Sequence, residues 1–260
     1  MTQSIWTLVI SSNWNLIYQG RACRKFLGDD EVNRDTFFKN IHNNLIVSCQ
    51  ALEDEPLHGS DIMAKMSQAA KEGGAKAIRS NTASDVAAIK KQTGLPVIGL
   101  LKRDYPDNEV FITPTLKEVN ELLAVNPDVI ALDATIRKRP HGETLKDLVS
   151  YIHGQSDTLV MADIATLRDA EYAIECEVDM ISTTLSGYTS DSPKFEGPDF
   201  DLVERLSKTS TVPVIAEGRI QTPEQARRML ELGAWSIVVG SSITRPQLIT
   251  KTFTDKIRML

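Results

Sequence analysis

A lysine and a glutamate occupy positions from which they could move protons. Lys102 directly follows the apolar run Val97–Leu101, and Glu217 follows Val214–Ala216 in the same way. Desolvation at the end of an apolar run, together with a neighbouring cation such as Arg103, lowers the pKa of a lysine towards neutral pH. A lysine of this kind near a carboxyl group suits general acid–base catalysis. A salt bridge between the two is the alternative interpretation.

Two glycine-containing turns could bind an anion. One leads from Glu217 into a predicted helix at Thr222, and the other follows the last apolar run of the chain. Glycine lets backbone N–H groups approach an anion, a helix N-terminus favours negative charge, and an arginine adds charge-assisted hydrogen bonds. The sequence therefore predicts a phosphate site formed by Gly218, Arg219, Gly240, Ser241 and Arg245.

Eight short apolar runs precede the polar residues that could carry this chemistry. They are nearly continuous rather than alternating, which is typical of parallel strands buried on both faces. The runs are Leu45–Ser48, Ala77–Arg79, Val97–Leu101, Val129–Leu132, Leu159–Ala162, Met180–Thr183, Val214–Ala216 and Ile237–Val239.

Amphipathic segments with helix start and stop signals separate these runs. Asp61–Glu72 and Thr82–Gln92 each end at a glycine, and Thr222 with Pro223 opens another segment that ends at a glycine. This alternation predicts an α/β fold, a single (β/α)8 TIM barrel. A doubly wound sheet is the alternative, but no G-x-G-x-x-G motif follows the first strand.

In a TIM barrel the functional groups lie at the carboxyl ends of the strands. Here polar side chains follow most of the predicted strands, which favours a functional rim over a set of ordinary turns. These residues are Ser48, Gln50, Arg79, Lys102, Arg103, Asp133, Asp163, Thr183, Thr184, Glu217 and Ser241.

The first 40 residues lie outside the repeating pattern. We interpret residues 1–40 as an N-terminal extension and residues 41–260 as the barrel domain, with a short helix over Asn33–Asn43 that caps the barrel bottom. An extension before the first strand begins opposite the catalytic rim. We therefore expect deletion of residues 1 to about 38 to leave catalysis nearly intact.

The composition limits which kinds of binding partner and which cellular compartment we expect for this protein. A net charge of −6 and a pI near 5.3 disfavour binding to nucleic acid or to a membrane surface. No apolar run approaches the roughly 18 residues that a membrane span needs. Cys23, Cys49 and Cys176 are scattered without metal-ligand or redox spacing, so reduced thiols in a cytoplasmic protein are expected.

Several segments resemble the bacterial N-acetylmannosamine-6-phosphate 2-epimerases. Gly99–Tyr105 is the most specific of them, because other phosphate-binding barrels share the glycines but not this run. The resemblance extends from about residue 40 to 257, although many family members have a second glycine at the position of Ser241. The remaining segments are Asn44–Leu52 with Asp54–His58, Ile130–Thr135 with Arg139 and Pro140, Met161–Ile164, Ser182–Thr189, Ile215–Ile220 and Ile243–Pro246.

The resemblance implies an isomerase of amino-sugar and sialic acid catabolism that inverts C2 of N-acetylmannosamine 6-phosphate to give N-acetylglucosamine 6-phosphate. The C2 proton becomes acidic only when the ring opens and C1 is a carbonyl. Lys102 and Glu217 match the family's acid–base residues, and which of them serves ring opening and which serves C2 stays open. Residues matching the family's substrate-contacting positions are Gln50, Arg79, Asp163 and Tyr188.

This chemistry requires no cofactor and no metal, and its expected partner is a small-molecule sugar phosphate. Two other functions compete with the epimerase. One is a different lyase or isomerase of the ribulose-phosphate-binding barrel group. The other is a barrel that binds a phosphosugar only as a regulator, which the pair of Lys102 and Glu217 disfavours. The sequence leaves the oligomeric state open, and a homodimer is compatible with it.

Overall fold

The computed structural model describes residues 34–194 and 196–258. Cys23 and most of the predicted N-terminal extension lie outside the described residues. Within the described ranges, no helix is long and apolar enough to cross a membrane.

Eight parallel strands among the described residues close into a barrel in chain order, which confirms the predicted (β/α)8 fold. The strands are β1 Leu45–Cys49, β2 Ala77–Asn81, β3 Val97–Leu100, β4 Val129–Asp133, β5 Leu159–Asp163, β6 Met180–Ser182, β7 Val214–Glu217 and β8 Ser236–Val239. The helices are α1 Arg34–Ile41, α2 Ser60–Glu72, α3 Ala83–Thr93, α4 Leu116–Leu123, α5 Leu145–Gln155, α6 Leu167–Glu175, α7 Phe200–Thr209, α8 Pro223–Glu231, α9 Ser241–Thr244 and α10 Pro246–Arg258, with a 3-10 turn at Pro140–Gly142.

Side chains alternate along each strand between two hydrophobic cores. Ile46 and Ile98 pack with other inward residues inside the barrel, whereas their neighbours Val47 and Val97 pack in the cluster between the strands and the helices. Successive residues of a strand point to opposite faces. Every second residue from Ile46 or Ile98 onward therefore faces the barrel axis, and near the carboxyl ends these inward positions become polar.

Helix α1 closes the bottom of the barrel, as predicted for this segment. Phe37 and Ile41 are fully buried and belong to the same cluster as the first inward residues of the strands. Phe38 packs edge to face on Trp235, with ring centroids 6.4 Å apart. Although α1 lies before the predicted domain boundary at residue 41, it packs as part of the barrel.

Threonine side chains fix where several helices begin. Thr115, Thr144, Thr166 and Thr222 each accept a backbone N–H of the first turn, and the side chain at the third helical position bonds back in a capping box. In this fold the helix N-termini follow the loops at the carboxyl ends of the strands. The caps therefore fix the ends of the loops that surround the predicted site.

Candidate active site

A cavity of about 590 Å³ opens at the carboxyl ends of the strands. It is large enough for a small ligand, since such sites commonly measure about 300–1,000 Å³. Most of the predicted site residues line it, namely Gln50, Arg79, Lys102, Tyr188, Glu217, Gly218, Arg219, Gly240, Ser241 and Arg245. Asp163, which was also predicted, does not line the cavity.

Asp163 lies beneath the cavity and binds Arg79. Nη1 of Arg79 donates to Oδ1 of Asp163 at 2.9 Å, and Nη2 donates to Oδ2 at 2.5 Å. Both side chains are buried, with exposed fractions of 1% and 0%. Burial lowers the pKa of Arg79, but the charges of Asp163 and Glu217 outweigh that effect and raise it. Arg79 is therefore a fixed cation whose position Asp163 determines.

Glu217 ends β7 on the inward side and faces a polar cluster. Its Oε2 lies 3.0 Å from Nη1 of Arg79 and 3.0 Å from Oγ1 of Thr184. Burial raises the pKa of Glu217, and the nearby charge of Asp163 raises it further against the opposing effect of Arg79. A carboxyl group with a raised pKa retains its proton at higher pH and is suited to act as an acid.

Lys102 follows β3 at an inward position. Its backbone N–H donates to Oδ1 of Asn81 at 2.9 Å, which fixes the start of the side chain. Burial lowers the pKa of Lys102, and the positive charges of Arg79 and Arg245 add to that effect. A lysine with a lowered pKa is more often neutral and can accept a proton.

The sequence had indicated that the positive charge of Arg103 lowers the pKa of Lys102. In the structure Arg103 does not have this effect. Arg103 occupies the outward phase of the strand and forms ion pairs with Glu118 and Glu121. Glu118 is fully buried and also accepts the hydroxyl of Tyr105 at 3.0 Å. The cations that act on Lys102 are Arg79 and Arg245 instead, because side chains one residue apart on a strand point to opposite faces.

The two glycine-containing turns meet at one side of the cavity. Gly218 has a φ of +111°, a conformation that favours glycine. At Gly240 a Cβ atom would lie 3.3 Å from Cβ of Ser48, so the absence of a side chain allows β8 to approach β1 closely. Ser241 begins the short helix α9 directly after Gly240. The backbone at both turns is therefore open to a ligand in the cavity.

Arg245 reaches the cavity but is paired with an acid. Its Nη2 donates to Oε2 of Glu55 at 2.9 Å, and its Nη1 lies 3.4 Å from Oγ of Ser241. Glu55 also accepts the side-chain amide of Gln247 and the backbone N–H of Leu52. An anion bound by Arg245 would compete with Glu55 for the guanidinium.

Arg219 and Tyr188 support the loop that follows β6. The guanidinium of Arg219 donates to the carbonyl oxygens of Gly197 and Ser186 at 2.8 and 2.5 Å. It lies 5.0 Å from the ring centroid of Tyr188, which is 64% exposed. The side chain of Arg219 is thus committed to the loop, so its contribution to a phosphate site would come from its backbone.

Gln50 presents an unsatisfied group to the cavity. Its Nε2 donates to Oγ of Ser48 at 2.9 Å, while its Oε1 is buried without a hydrogen-bond partner. Buried polar atoms are normally paired. The vacant acceptor therefore supports the predicted contact between Gln50 and a ligand hydroxyl or amide.

The site residues that the sequence reasoning missed are Ser182 and Glu55, whereas Thr184 was identified as a polar rim residue without a specific role. Ser182 shares the inward phase of β6 with Thr184, so the two-residue alternation was a signal that could have found it. Glu55 lies in a loop and carries no such signal.

Conversely, Asp133 ends β4 in the inward phase but does not line the cavity, because it is fully buried and pairs with Arg137 at 2.7 Å. Among the described residues, no group of His, Cys, Asp or Glu side chains has an arrangement that could hold a metal ion.

Comparison with known proteins identifies the family. The family model described as "NanE: Putative N-acetylmannosamine-6-phosphate epimerase" matches residues 63–259. Relatives named "Putative N-acetylmannosamine-6-phosphate 2-epimerase" include one from Clostridium perfringens, 57% identical over 83% of this chain and 97% of its own length. Another, from Clostridioides difficile strain 630, is 54% identical over 84% of this chain and 98% of its own length.

Solved structures agree with this result. The N-acetylmannosamine-6-phosphate 2-epimerase from Clostridium perfringens superposes with a TM-score of 0.83 at 52% identity, covering 91% of this chain and 99% of that one. A thiamine phosphate pyrophosphorylase from Pyrococcus furiosus has a TM-score of 0.56 at 17% identity over 79% of this chain and 89% of its own, and shares the fold alone. The chain therefore belongs to the N-acetylmannosamine-6-phosphate epimerase family.

Proposed function

We propose that this chain interconverts N-acetylmannosamine 6-phosphate and N-acetylglucosamine 6-phosphate in the cavity at the carboxyl ends of the strands. The observation that carries the proposal is that one cavity holds a lysine with a lowered pKa and a glutamate with a raised pKa. Both shifts are towards the uncharged forms, a neutral base and a protonated acid, which are the two forms that epimerisation at C2 requires.

The geometry supports a division of roles between the two residues. Glu217 delivers its proton to the ring oxygen as the bond between C1 and the ring oxygen breaks, and its carboxylate takes the proton of the O1 hydroxyl, so that C1 becomes a carbonyl and Glu217 is protonated again. The neutral amine of Lys102 then takes the C2 proton. Arg79 is the fixed cation that stabilises the charge of the enolate. The ammonium of Lys102 returns a proton to the opposite face of C2, which gives the epimer, and ring closure reverses the proton exchange at Glu217.

The phosphate group belongs at the turns after β7 and β8. The backbone at Gly218, Arg219, Gly240 and Ser241 supplies N–H donors, and Arg245 supplies a cation. A bound phosphate anchors the sugar at one side of the cavity, so that C1 and C2 reach Lys102 and Glu217. Gln50 and Tyr188 contact the sugar directly, and Asp163 acts through Arg79.

Proton NMR in deuterium oxide tests the activity directly. Purified protein with N-acetylmannosamine 6-phosphate should produce N-acetylglucosamine 6-phosphate carrying deuterium at C2, because the proton passes through a group that exchanges with solvent. A Glu217→Gln variant is the control for spontaneous exchange. No conversion would contradict the function, and conversion without any deuterium would contradict proton transfer through an exchangeable base.

We infer that the protein is a homodimer and is cytoplasmic. No residue of α10 is buried, and Phe253 and Ile257 on this helix are 67% and 65% exposed. A second copy would cover these apolar side chains. Cys49 and Cys176 are free thiols, as expected in a reducing compartment.

Sedimentation tests the dimer. Phe253→Asp should convert the protein to a monomer, while Thr254→Asp, which adds the same charge at the neighbouring position of α10, should leave it a dimer. A monomeric parent protein would contradict the proposal.

A further inference from the structure

Thr184 lies between the two carboxyl groups of the site. Its Oγ1 is 2.7 Å from Oδ1 of Asp163, 3.0 Å from Oε2 of Glu217 and 2.9 Å from Oγ of Ser182. Thr184 continues β6 in the inward phase and lines the cavity. One hydroxyl thus has three polar neighbours within hydrogen-bond distance.

The number of protons limits how these contacts can form. A threonine hydroxyl donates one hydrogen bond and accepts up to two. Asp163 accepts both nitrogens of Arg79 and has the shortest contact with Thr184. Glu217 accepts only one guanidinium nitrogen, at 3.0 Å, so Asp163 is the more strongly stabilised anion of the two and the single hydrogen of Thr184 points to it.

The remaining two neighbours must then donate to Thr184. Ser182 carries a hydroxyl hydrogen that it can give, and Oγ1 of Thr184 at 2.9 Å is a nearer acceptor than Oε2 of Glu217 at 3.4 Å. Glu217 can donate only if it carries a proton on Oε2. With an ionised Glu217, lone pairs of two oxygens would face each other at 3.0 Å, an arrangement that offers no hydrogen bond.

We propose that Thr184 is a positioning residue that holds Glu217 in its acid form, by donating its hydroxyl hydrogen to Asp163 and accepting the proton of Glu217. This inference rests on the proposed function, in which Glu217 is the acid for ring opening. The negative charge is thereby kept on Asp163 beside Arg79, and the proton stays on Glu217 until the ring oxygen of the substrate takes it.

The opposite orientation of the hydroxyl makes the opposite prediction. If Thr184 donated to an ionised Glu217, loss of the hydroxyl would raise the pKa of Glu217, because the carboxylate would lose a donor. If Thr184 accepts the proton of Glu217, loss of the hydroxyl lowers that pKa, because the acid form loses an acceptor. The sign of the shift therefore decides between the two orientations.

Carbon-13 NMR of protein labelled at glutamate carboxyl groups measures this shift, with the Glu217 signal assigned by its loss in Glu217→Gln. We expect Thr184→Val to lower the pKa of Glu217 by roughly half to one pH unit, which is a threefold to tenfold weaker hold on the proton. Thr184→Ser, which keeps the hydroxyl, should restore the parent value. Thr189→Val is the matched control, since the hydroxyl of Thr189 in the same loop bonds Ser192 at 2.9 Å.

An unchanged or raised pKa in Thr184→Val overturns the proposal. So does an ionised Glu217 at neutral pH in the parent protein, a measurement that needs no variant to fold. The titration requires no turnover, whereas the deuterium experiment requires nothing of Thr184. A failure of the epimerase function is therefore distinguishable from a failure of the role given to Thr184.

Discussion

At the scale of single residues, the site combines four ionisable side chains in a charge-balanced arrangement. Asp163 neutralises Arg79 beneath the cavity, with both side chains almost fully buried. Burial then acts on the two remaining groups in opposite directions, lowering the pKa of Lys102 and raising that of Glu217. Each shift favours the uncharged form, because charge is costly where water is excluded.

We predict that Lys102→Ala and Glu217→Gln each lower kcat by about 10²- to 10⁴-fold, the usual contribution of a positioned acid or base. Both residues lie at the rim, so thermal stability should change little. Steady-state kinetics and melting curves measure the two effects. Lys65→Ala, at an exposed position of α2, should retain full activity. Either site variant keeping more than about a tenth of parental kcat would contradict its role.

The protonation states of Lys102 and Glu217 that catalysis requires determine how kcat/KM changes with pH. Activity needs Lys102 neutral and Glu217 protonated, so it should fall at low pH as Lys102 gains a proton and at high pH as Glu217 loses one. A pH series in buffers of constant ionic strength measures both limbs. A profile that lacked the fall on the alkaline side would exclude Glu217 as the acid.

Arg79 carries a stability prediction of its own. Arg79→Met leaves the charge of Asp163 buried and unpaired, which typically costs about 3–5 kcal/mol. Urea unfolding measures the loss, and the double variant Arg79→Met with Asp163→Asn should recover part of it. A loss below about 1 kcal/mol for Arg79→Met would mean that water reaches Asp163 in solution.

At the scale of elements, the proposed anion site lies at the loops after the last two strands, and a carboxylate from a third loop pairs with its arginine. Arg245 pairs with Glu55 from the loop after β1. This pairing places a carboxylate where a phosphate would compete for the same guanidinium. An anion that binds Arg245 at the proposed site would therefore have to replace Glu55.

Glu55→Gln should tighten the binding of inorganic phosphate, because the amide oxygen can still accept the backbone N–H of Leu52 while the charge that pairs with Arg245 is removed. Arg245→Ala should weaken phosphate and phosphorylated substrate alike, by about tenfold for one charge-assisted contact. Competitive inhibition by phosphate measures both. Unphosphorylated N-acetylmannosamine is the control ligand, and equal losses for it would show that Arg245 has another role.

At the scale of the whole molecule, the barrel is sealed at the end opposite the site. Helix α1 places Phe37 and Ile41 in the interior core, and Arg34 pairs with the buried Asp179 at the start of β6. The segment before the first strand is therefore partly structural, and the prediction that its deletion is harmless applies only to residues before α1.

A chain that begins at Arg34 should keep its kcat/KM, whereas a chain that begins at Asn43 should lose the folded barrel. Removing a buried phenylalanine side chain alone costs about 3–5 kcal/mol. Melting temperature and kcat/KM of both truncations measure the difference. Phe37→Ala in the full chain should lower stability while leaving kcat unchanged wherever the protein is folded. A large fall in kcat/KM for the chain starting at Arg34 would show that the preceding residues reach the site.

The sequence alone indicated the eight strands, several of the helices and most of the residues gathered at the rim. Each apolar run precedes a polar residue, and parallel strands that close into a barrel must bring those residues to one end. The distances between these residues could not be predicted from the sequence, because they depend on how the barrel closes. Only the tertiary structure decided that Arg79 and Asp163 bind each other, that Arg103 turns away to Glu118, and that Thr184 joins two carboxyl groups. These pairings link residues far apart in the chain, and local sequence patterns describe only neighbours.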